Sequence, residues 1–337
     1  MGSNKNSINL NVYGQWIRVA SYSRAVIECV RHDFHCFLEQ EKNDGALSAF
    51  EVKVRRSRYR PKDWRVLLKT GRSTLFWSGT GERRICFFNK AWVSYRFWNK
   101  KCDVFCDDKT VGYETLNLVL LSVMGESLDL KGMHRLHGFG FSIDGEGAIM
   151  LGPSGVGKST LGMELLRRPA MQLLSDDTPL IVKNGRMKAF PLRIALKEKP
   201  NVGKKHLRKF PRVHHGFKYV VGGAFFKNQV QAESDVKWLI LAQRSHRDAI
   251  ECVGRWKAVW PILKWLVIGY ETPQVWEMYL RLSPKEVFYK TRILLNRLRL
   301  AHQLISRTRV AKLTVSNQSS SASDSVVSFL SQKASLT

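Results

Sequence analysis

The sequence predicts a mixed α/β protein of the α+β kind, in which a strand-rich N-terminal domain precedes a domain built on a strand–loop–helix unit. In the N-terminal part, short runs of aromatic and β-branched residues alternate with turn signals, as at residues 75–77 and 85–88. Further along, the apolar run 148–151 leads into a glycine-rich loop, and a helical pattern follows over residues 160–168. The chain has 337 residues, of which 44% are hydrophobic, and this is enough for two hydrophobic cores.

We expect three segments along the chain. Residues 1–125 form an N-terminal α+β domain with a role in docking a substrate, and residues 126–312 form the domain that carries the glycine-rich loop. Residues 313–337 form a tail that we expect to be disordered, because it is rich in serine and has little to bury. Residues 258–270 are the most apolar run; they are too few to span a bilayer, so we expect a buried helix.

The composition is strongly basic. Lys and Arg total 55 against 28 Asp and Glu, which gives a formal net charge of +27. Such a surface attracts polyanions, including acidic peptides, nucleotides and nucleic acid. Residues 53–72 and 193–218 concentrate the charge, with nine basic residues and one acidic residue each. We expect these stretches either to be solvated or to dock an acidic peptide, and nucleic acid stays an alternative partner.

Few features of the sequence indicate the cellular compartment of the protein. The six cysteines are sparse for this length and form no dense pattern, which is usual in a reducing compartment. The first ten residues are polar and lack the apolar core of a signal peptide. These features predict a cytoplasmic protein with no membrane span.

The strongest motif is the run GPSGVGKS at residues 152–159, which fits the pattern G-x-x-x-x-G-K-[ST] in full. Glycines let backbone N–H groups approach phosphate oxygens, and the N-terminus of the following helix favours the same anion. Lys158 can place its charge on the β and γ phosphates, and the Ser159 hydroxyl can bind Mg²⁺. The predicted nucleotide contacts are Gly152, Pro153, Ser154, Gly155, Val156, Gly157, Lys158, Ser159 and Thr160. The motif predicts nucleotide binding without separating a kinase from an ATPase.

Polar residues on both sides of the loop help to distinguish a kinase from an ATPase. Asp176 and Asp177 end a short predicted strand, where a carboxylate can hold Mg²⁺ or accept a proton from an attacking hydroxyl. The same pair would also suit an ordinary polar turn. His137 lies upstream of the loop, and a lone histidine is most often structural. Only the combination of these residues with the loop indicates a particular chemistry.

That combination resembles the catalytic domain of HPr kinase/phosphorylase. The matching stretches are 137–138 (HG), 141–144 (FSID), 147–159 (GAIMLGPSGVGKS) and 174–177 (LSDD). The resemblance implies a fold related to phosphoenolpyruvate carboxykinase and a requirement for ATP and Mg²⁺. It also implies an ATP-dependent kinase that transfers the γ-phosphoryl group to a serine hydroxyl of a peptide or small protein.

The same resemblance assigns roles to individual residues. It implies that Asp176 is the general base and that Asp177 supports Mg²⁺ together with Ser159. It places His137 beside the transferred phosphate or the base, with Lys158 on the phosphates. One family feature is missing, because no R-G-x-G-I-I-D type segment follows Asp177. A reverse phosphorylase activity is therefore not expected.

The wider arrangement is similar to the HPr-kinase-like proteins found with lasso-peptide biosynthesis, with residues 189–196 (AFPLRIAL) as a further match. This likeness implies that the acceptor is the C-terminal serine of a lasso-peptide precursor. Arg193 and Lys197 follow the Asp-Asp strand closely, and a cation there would neutralise charge during phosphoryl transfer. We predict that both contact the phosphate or the substrate. HPr kinases assemble as rings, so the resemblance also admits a homo-oligomer.

A second function fits the same loop. A P-loop ATPase, or a nucleotide-gated module that binds nucleic acid, would use the basic surface and would bind DNA or RNA in a strongly salt-dependent way. No clear N-K-x-D motif follows the loop, which speaks against a GTPase. The sequence also lacks a helix-turn-helix, zinc-finger or RNA-recognition signature, which favours the kinase over this alternative.

Overall fold

The computed structural model describes residues 6–39, 49–57, 65–71, 73–78, 82–96, 98–213, 216–272, 284–316 and 319–334. Within these residues the chain is a mixed α/β protein with two large β-sheets, as the sequence predicts. It divides into two compact units. Unit 1 comprises the described residues of Met1–Ser127, Lys197–Ala224 and Pro273–Glu286, and unit 2 comprises those of Leu128–Leu196, Phe225–Thr272 and Val287–Thr337.

The described elements follow in chain order. The strands are β1 Ser7–Val12, β2 Gln15–Ser21, β3 Leu38–Glu39, β4 Phe50–Arg55, β5 Val66–Lys69, β6 Ser73–Phe76, β7 Arg83–Phe87, β8 Ala91–Arg96, β9 Lys101–Phe105, β10 His134–Arg135, β11 Phe139–Ile143, β12 Glu146–Leu151, β13 Met171–Ser175, β14 Leu180–Val182, β15 Arg186–Lys188, β16 Ile194–Leu196, β17 Leu207–Pro211, β18 Phe217–Val221, β19 Glu233–Arg244, β20 Ala249–Val253 and β21 Arg309–Val315. The α-helices are α1 Arg24–Asp33, α2 Lys109–Leu130, α3 Lys158–Leu165, α4 Gly223–Phe226, α5 Val259–Ile262, α6 Pro284–Arg307 and α7 Ser319–Ala334.

The main sheet of unit 1 has nine strands in the order β3-β1-β2-β4-β9-β8-β7-β6-β5. β4 is parallel to both of its neighbours, and the remaining pairs are antiparallel. Buried and partly exposed residues alternate along β1, β4 and β8, so one face of the sheet packs on the core. The strand-rich pattern predicted for this part of the chain is confirmed. Residues 58–64 and 72 of the first basic stretch lie outside the described residues.

A buried carboxylate explains why a later segment joins unit 1. Asp33, at the end of α1, accepts hydrogen bonds from the Tyr113 hydroxyl and from Arg208 Nη2, which lies 3.2 Å from both carboxylate oxygens. Phe210 packs edge-on against Tyr113 with ring centroids 5.2 Å apart. These contacts bind residues 197–224 to unit 1, whereas we had expected the whole range 126–312 to form one domain. Arg208 also belongs to the second basic stretch, so this cation has a structural partner.

The topology of the unit 2 sheet determines which strand ends lie next to one another. Its strand order is β10-β14-β15-β19-β12-β11-β13, with β21 beside β19 and β20 beside β21. β12 is parallel to β19, and β19 is parallel to β21. β11 is antiparallel to both of its neighbours, β12 and β13. The carboxyl ends of β12, β13 and β19 and the amino end of β11 therefore lie at one edge of the sheet.

The core of unit 2 lies between this sheet and the helices. Ile149 and Leu151 of β12 are fully buried, which accounts for the unbroken apolar run that predicts this strand. They belong to one cluster with Leu300 and Leu304 of α6 and with Trp265. β14 and β15 form a hairpin, because they pair antiparallel around the turn Lys183–Gly185.

The serine-rich tail is not disordered throughout, so this prediction is wrong for the part that the structure describes. Residues up to Val315 form the end of β21, and Ser319–Ala334 form helix α7. Ala322, Val326 and Leu330 are buried at four-residue spacing, so they share one face of the helix. That face packs against α3 and β20. The apolar spacing outweighs the serine content, because it gives the segment something to bury.

The apolar run 258–270 differs from expectation too. It forms the short helix α5 and a π-helical turn, Leu263–Val267, rather than one buried helix. Ile262 and Leu266 are buried, but Trp260 and Ile268 are exposed. No helix among the described residues is long and apolar enough to span a membrane.

Close packing between α3 and the sheet gives a first prediction. A Cβ added to Gly162 would lie 2.3 Å from the Phe139 ring of β11. We expect Gly162→Ala to lower the free energy of unfolding by about 1–3 kcal/mol, because the ring must move out of a packed core. Urea denaturation would measure this change. Gly203→Ala is the control, since its Cβ meets nothing within 4 Å, and equal midpoints for the two variants would contradict the packing.

Candidate functional site

Three predicted features meet at the shared edge of the unit 2 sheet. The glycine-rich loop leaves β12 at Gly152, and Asp176 leaves the carboxyl end of β13. His137 lies two residues before β11, which runs in the opposite direction between them. The strand directions alone therefore bring residues that are far apart in sequence to one place. Ligands of α/β sheets bind at such strand ends.

The loop has the backbone that a phosphate cradle needs. Gly155 and Gly157 have φ angles of +88° and +107°, a region in which a side chain is strained. A Cβ on Gly152 would lie 2.7 Å from the carbonyl oxygen of Ala242, so only glycine allows the loop to pass this close to β19. α3 begins at Lys158 directly after the loop, with its positive end at the cradle. Pro153, Ser154, Gly155 and Thr160 are exposed, while Val156 is buried beneath the loop.

Lys158 is buried, and its ammonium group is held by oxygen acceptors of the loop itself. Nζ donates to the carbonyl oxygens of Gly152 at 2.6 Å and Pro153 at 3.2 Å. It also lies 3.1 Å from His137 Nε2. Three contacts on a flexible side chain fix a positive charge at the mouth of the cradle, where phosphate oxygens would meet it.

His137 is the uncharged neighbour of this cation. Burial, and next the charge of Lys158, lower the pKa of His137 from 6.5 to about 4, against the opposing influence of Asp177 and Glu271. The imidazole is therefore neutral at pH 7, and its Nε2 can accept a hydrogen bond from Lys158. The sequence suggested a catalytic role for His137; the geometry places it against the phosphate-binding lysine.

The two aspartates have different surroundings. Asp176 is buried, and its Oδ1 accepts a hydrogen bond of 2.8 Å from the Ser159 hydroxyl. Asp177 is half-buried at φ +63°, and its carbonyl oxygen accepts the N–H of Gly138 at 3.3 Å. We had expected Asp177 to be the partner of Ser159. The observed hydrogen bond joins Ser159 to Asp176 instead.

Two site residues were missed by the sequence analysis. The Glu271 carboxylate accepts the N–H of Ser154 at 3.2 Å and lies 3.5 Å from His137 Nε2. Arg244, at the end of β19, points Nη2 to the carbonyl oxygen of Gly155 at 3.5 Å. No local motif marks Glu271. Arg244 was predictable in principle, because β19 is an apolar strand and its carboxyl end reaches the edge that carries the loop.

Arg193 and Lys197 are the two predicted contacts that remain. Arg193 is half-buried just before β16 in unit 2. Lys197 is exposed and belongs to unit 1. The predicted role of both in binding phosphate or substrate stays a prediction.

The site offers oxygen donors of the kind that Mg²⁺ prefers. No cluster of three or more His, Cys, Asp or Glu side chains suited to a metal occurs in the part of the chain that the structure describes. Ser159 Oγ and Asp176 Oδ1 lie side by side next to the cradle. A hydroxyl and a carboxylate at this position suit a Mg²⁺ ion that also binds phosphate oxygens. The glycine backbone of the loop likewise suits the phosphates of a nucleotide.

Comparison with known proteins does not assign the chain to a family. No protein-family model matches the chain. No curated protein matches it either. The loop, the residues around it and their geometry are therefore the basis for any function proposed for this chain.

The buried neutral imidazole makes a prediction about acid stability. The pKa of His137 is lower in the folded chain than in the unfolded chain, so acid protonates the unfolded state first. The folded state therefore loses stability as the pH falls from 6.5 towards 4. We expect His137→Gln to remove up to roughly 2 kcal/mol of this loss between pH 7 and pH 5.

Urea denaturation at the two pH values would measure the difference. His246→Gln is the matched control, because His246 is an exposed histidine of the same unit. If the His137 and His246 variants lose the same stability on acidification, the burial of a neutral His137 is refuted.

Proposed function

We propose that unit 2 is a P-loop kinase core of the HPr kinase kind, and that the protein transfers the γ-phosphoryl group of ATP to a serine hydroxyl. One observation carries the proposal. The loop lysine, the loop serine, a carboxylate bonded to that serine and a neutral histidine meet at one edge of the sheet. Phosphoryl transfer requires such positioning and charge neutralisation rather than covalent chemistry by the protein.

The loop accounts for binding of the nucleotide. Its N–H groups and the N-terminus of α3 favour the triphosphate, and Lys158 supplies a fixed positive charge beside it. Arg244 adds a second cation at the rim near Gly155. The Glu271 carboxylate accepts the N–H of Ser154, so an incoming phosphate would compete with this carboxylate for the same donor. We infer that Glu271 moves away when nucleotide binds.

Ser159 and Asp176 are the residues that would hold Mg²⁺. Their hydrogen bond shows that both oxygens can face one point beside the cradle. Bound there, Mg²⁺ would neutralise phosphate charge during transfer. This assignment exchanges the roles that the sequence resemblance implied for the two aspartates.

Asp177 is then the better proton acceptor. It is less buried than Asp176, and its charge lies close enough to His137 to oppose the lowering of the His137 pKa by burial and Lys158. The hydroxyl of an incoming peptide can reach a half-buried carboxylate, whereas Asp176 is buried and accepts the hydrogen bond from Ser159. His137 positions Lys158 and stays neutral at pH 7.

The acceptor that we propose is a serine at the C-terminus of a peptide such as a lasso-peptide precursor. Support for it comes from the likeness of residues 189–196 to the kinases found with those peptides. Arg193 lies within this stretch and would contact the phosphate or the peptide. A peptide acceptor is also compatible with the basic composition of the chain, because acidic peptides are attracted to it.

Transfer of label from γ-labelled ATP to serine peptides tests the function. We expect label on a peptide with a terminal serine, and we expect Lys158→Ala and Asp177→Asn each to reduce transfer at least about a hundredfold. Lys183→Ala, an exposed lysine of the same unit, should leave transfer unchanged. Release of free phosphate without labelled peptide, stimulated by DNA or RNA, would instead indicate the ATPase alternative.

The division of labour between the aspartates can be tested without turnover. We expect Mg²⁺ to strengthen ATP binding in the wild type and in Asp177→Asn, because Ser159 and Asp176 remain. We expect Asp176→Asn to lose most of this Mg²⁺ effect, about tenfold in affinity or more. Isothermal titration with and without Mg²⁺ would measure it, and the opposite pattern would return the metal role to Asp177.

A further inference from the structure

Exposed apolar side chains are concentrated in two segments of unit 2. We call residues 255–270 the aromatic segment and residues 287–299 of α6 the outer helix. Of the eighteen large apolar side chains exposed in the described residues, five lie in each of these segments. They are Trp256, Val259, Trp260, Ile268 and Tyr270, and then Val287, Phe288, Leu294, Leu295 and Leu298. A concentration of this kind usually marks an interaction surface.

The spacing places these side chains on continuous faces. Trp256, Val259 and Trp260 are three and four residues apart on consecutive helical turns, so they project from one side. Trp256 is 73% and Trp260 67% exposed, although tryptophan is usually buried for most of its area. On α6, the spacing from Val287 to Leu294 to Leu298 gives one stripe.

Both segments pack on the same hydrophobic core, which holds their exposed faces in position. Trp265 and Leu266 of the π-helical turn and Leu300 of α6 belong to the same buried cluster. Arg297 joins the two segments directly, because its Nη1 donates to the carbonyl oxygen of Val267 at 3.1 Å. The residues on either side of this contact, Ile268 and Leu298, are both exposed.

Both segments are positively charged. The aromatic segment, residues 255–270, and the outer helix, residues 287–299, contain no Asp or Glu. Their basic residues outside the core are Arg255, Lys257, Lys264, Lys290, Arg292 and Arg299, whereas Arg297 is buried and paired with Asp129. Lys264 lies over the Tyr270 ring at 4.4 Å and Lys257 over the Trp256 ring at 5.7 Å, so cations and aromatic rings are interleaved.

We propose that the aromatic segment and the outer helix dock this protein onto an anionic lipid surface. Tryptophan, tyrosine and leucine side chains would enter the interface between headgroups and acyl chains, and the lysines and arginines would pair with acidic headgroups. Such a surface lies on the membrane without crossing it. The proposal is independent of the proposed kinase activity.

Other occupants fit the charges less well. A symmetric contact between two copies would bring the same patch onto itself, and it would place basic residues against basic residues with no carboxylate between them. Nucleic acid would satisfy the charge but would leave the leucine stripe of the outer helix without an apolar partner. An anionic membrane supplies both the negative charge and the apolar layer.

Vesicle co-sedimentation of the full chain tests the proposal. We expect binding to phosphatidylcholine vesicles that contain phosphatidylglycerol, and much weaker binding to phosphatidylcholine alone. The double variant Trp256→Ser, Trp260→Ser should bind at least about tenfold more weakly, because two large side chains no longer enter the interface. Leu294→Gln with Leu295→Gln should weaken binding in the same direction.

Trp77 and Trp98 provide the matched control, since they are 66% and 51% exposed but belong to unit 1. The double variant Trp77→Ser, Trp98→Ser should bind vesicles like the wild type. Circular dichroism of each variant would verify folding. The proposal is overturned if the wild type does not bind anionic vesicles, if the control loses as much binding as the Trp256 and Trp260 variant, or if this variant only changes self-association in analytical ultracentrifugation.

Discussion

A buried ion pair between Asp129, at the end of α2, and Arg297 of α6 links several elements of unit 2. Arg297 Nη2 lies 2.9 Å and 2.8 Å from the two carboxylate oxygens of Asp129. His134 lies 2.7 Å from the same carboxylate. Burial alone would raise the pKa of Asp129, but Arg297 and His134 outweigh burial and lower it. Breaking such a pair by removing one partner typically costs about 3–5 kcal/mol.

This pair also contacts the two chain segments that carry the outer residues of the site. His134 is three residues before His137, and Val267, whose carbonyl oxygen binds Arg297, is four residues before Glu271. The inner residues, Lys158 and Asp176, are placed by strand ends instead. The site thus combines a rigid sheet edge with two chain segments that a single buried arginine keeps in position. The strand ends hold the inner residues in place when a ligand arrives, whereas Glu271 is the residue that we propose to move.

The sequence was most informative where chemistry and local structure coincide. The loop at 152–159 and the helix after it could be predicted, because a phosphate-binding backbone needs glycines and a lysine at these positions of the sequence. The mixed α/β class could be predicted from the local patterns of strands and helices. Glu271 could not be predicted, because its contact with Ser154 exists only through tertiary structure. The exchange of roles that we propose for Asp176 and Asp177 depends on the hydrogen bond between Ser159 and Asp176, which the sequence spacing does not encode. Helix α7 was missed because serine content hid the apolar spacing of Ala322, Val326 and Leu330.

The position of α7 has a consequence for how the protein is made. β21 pairs with β19 in the middle of the sheet, and α7 packs against α3, the helix that begins at the phosphate loop. Unit 2 therefore cannot close its core until residues beyond 309 have left the ribosome. Until then, the apolar strands that carry the loop are exposed, as is common for incomplete domains during synthesis. The site that we propose for nucleotide can therefore form only after this region has been translated.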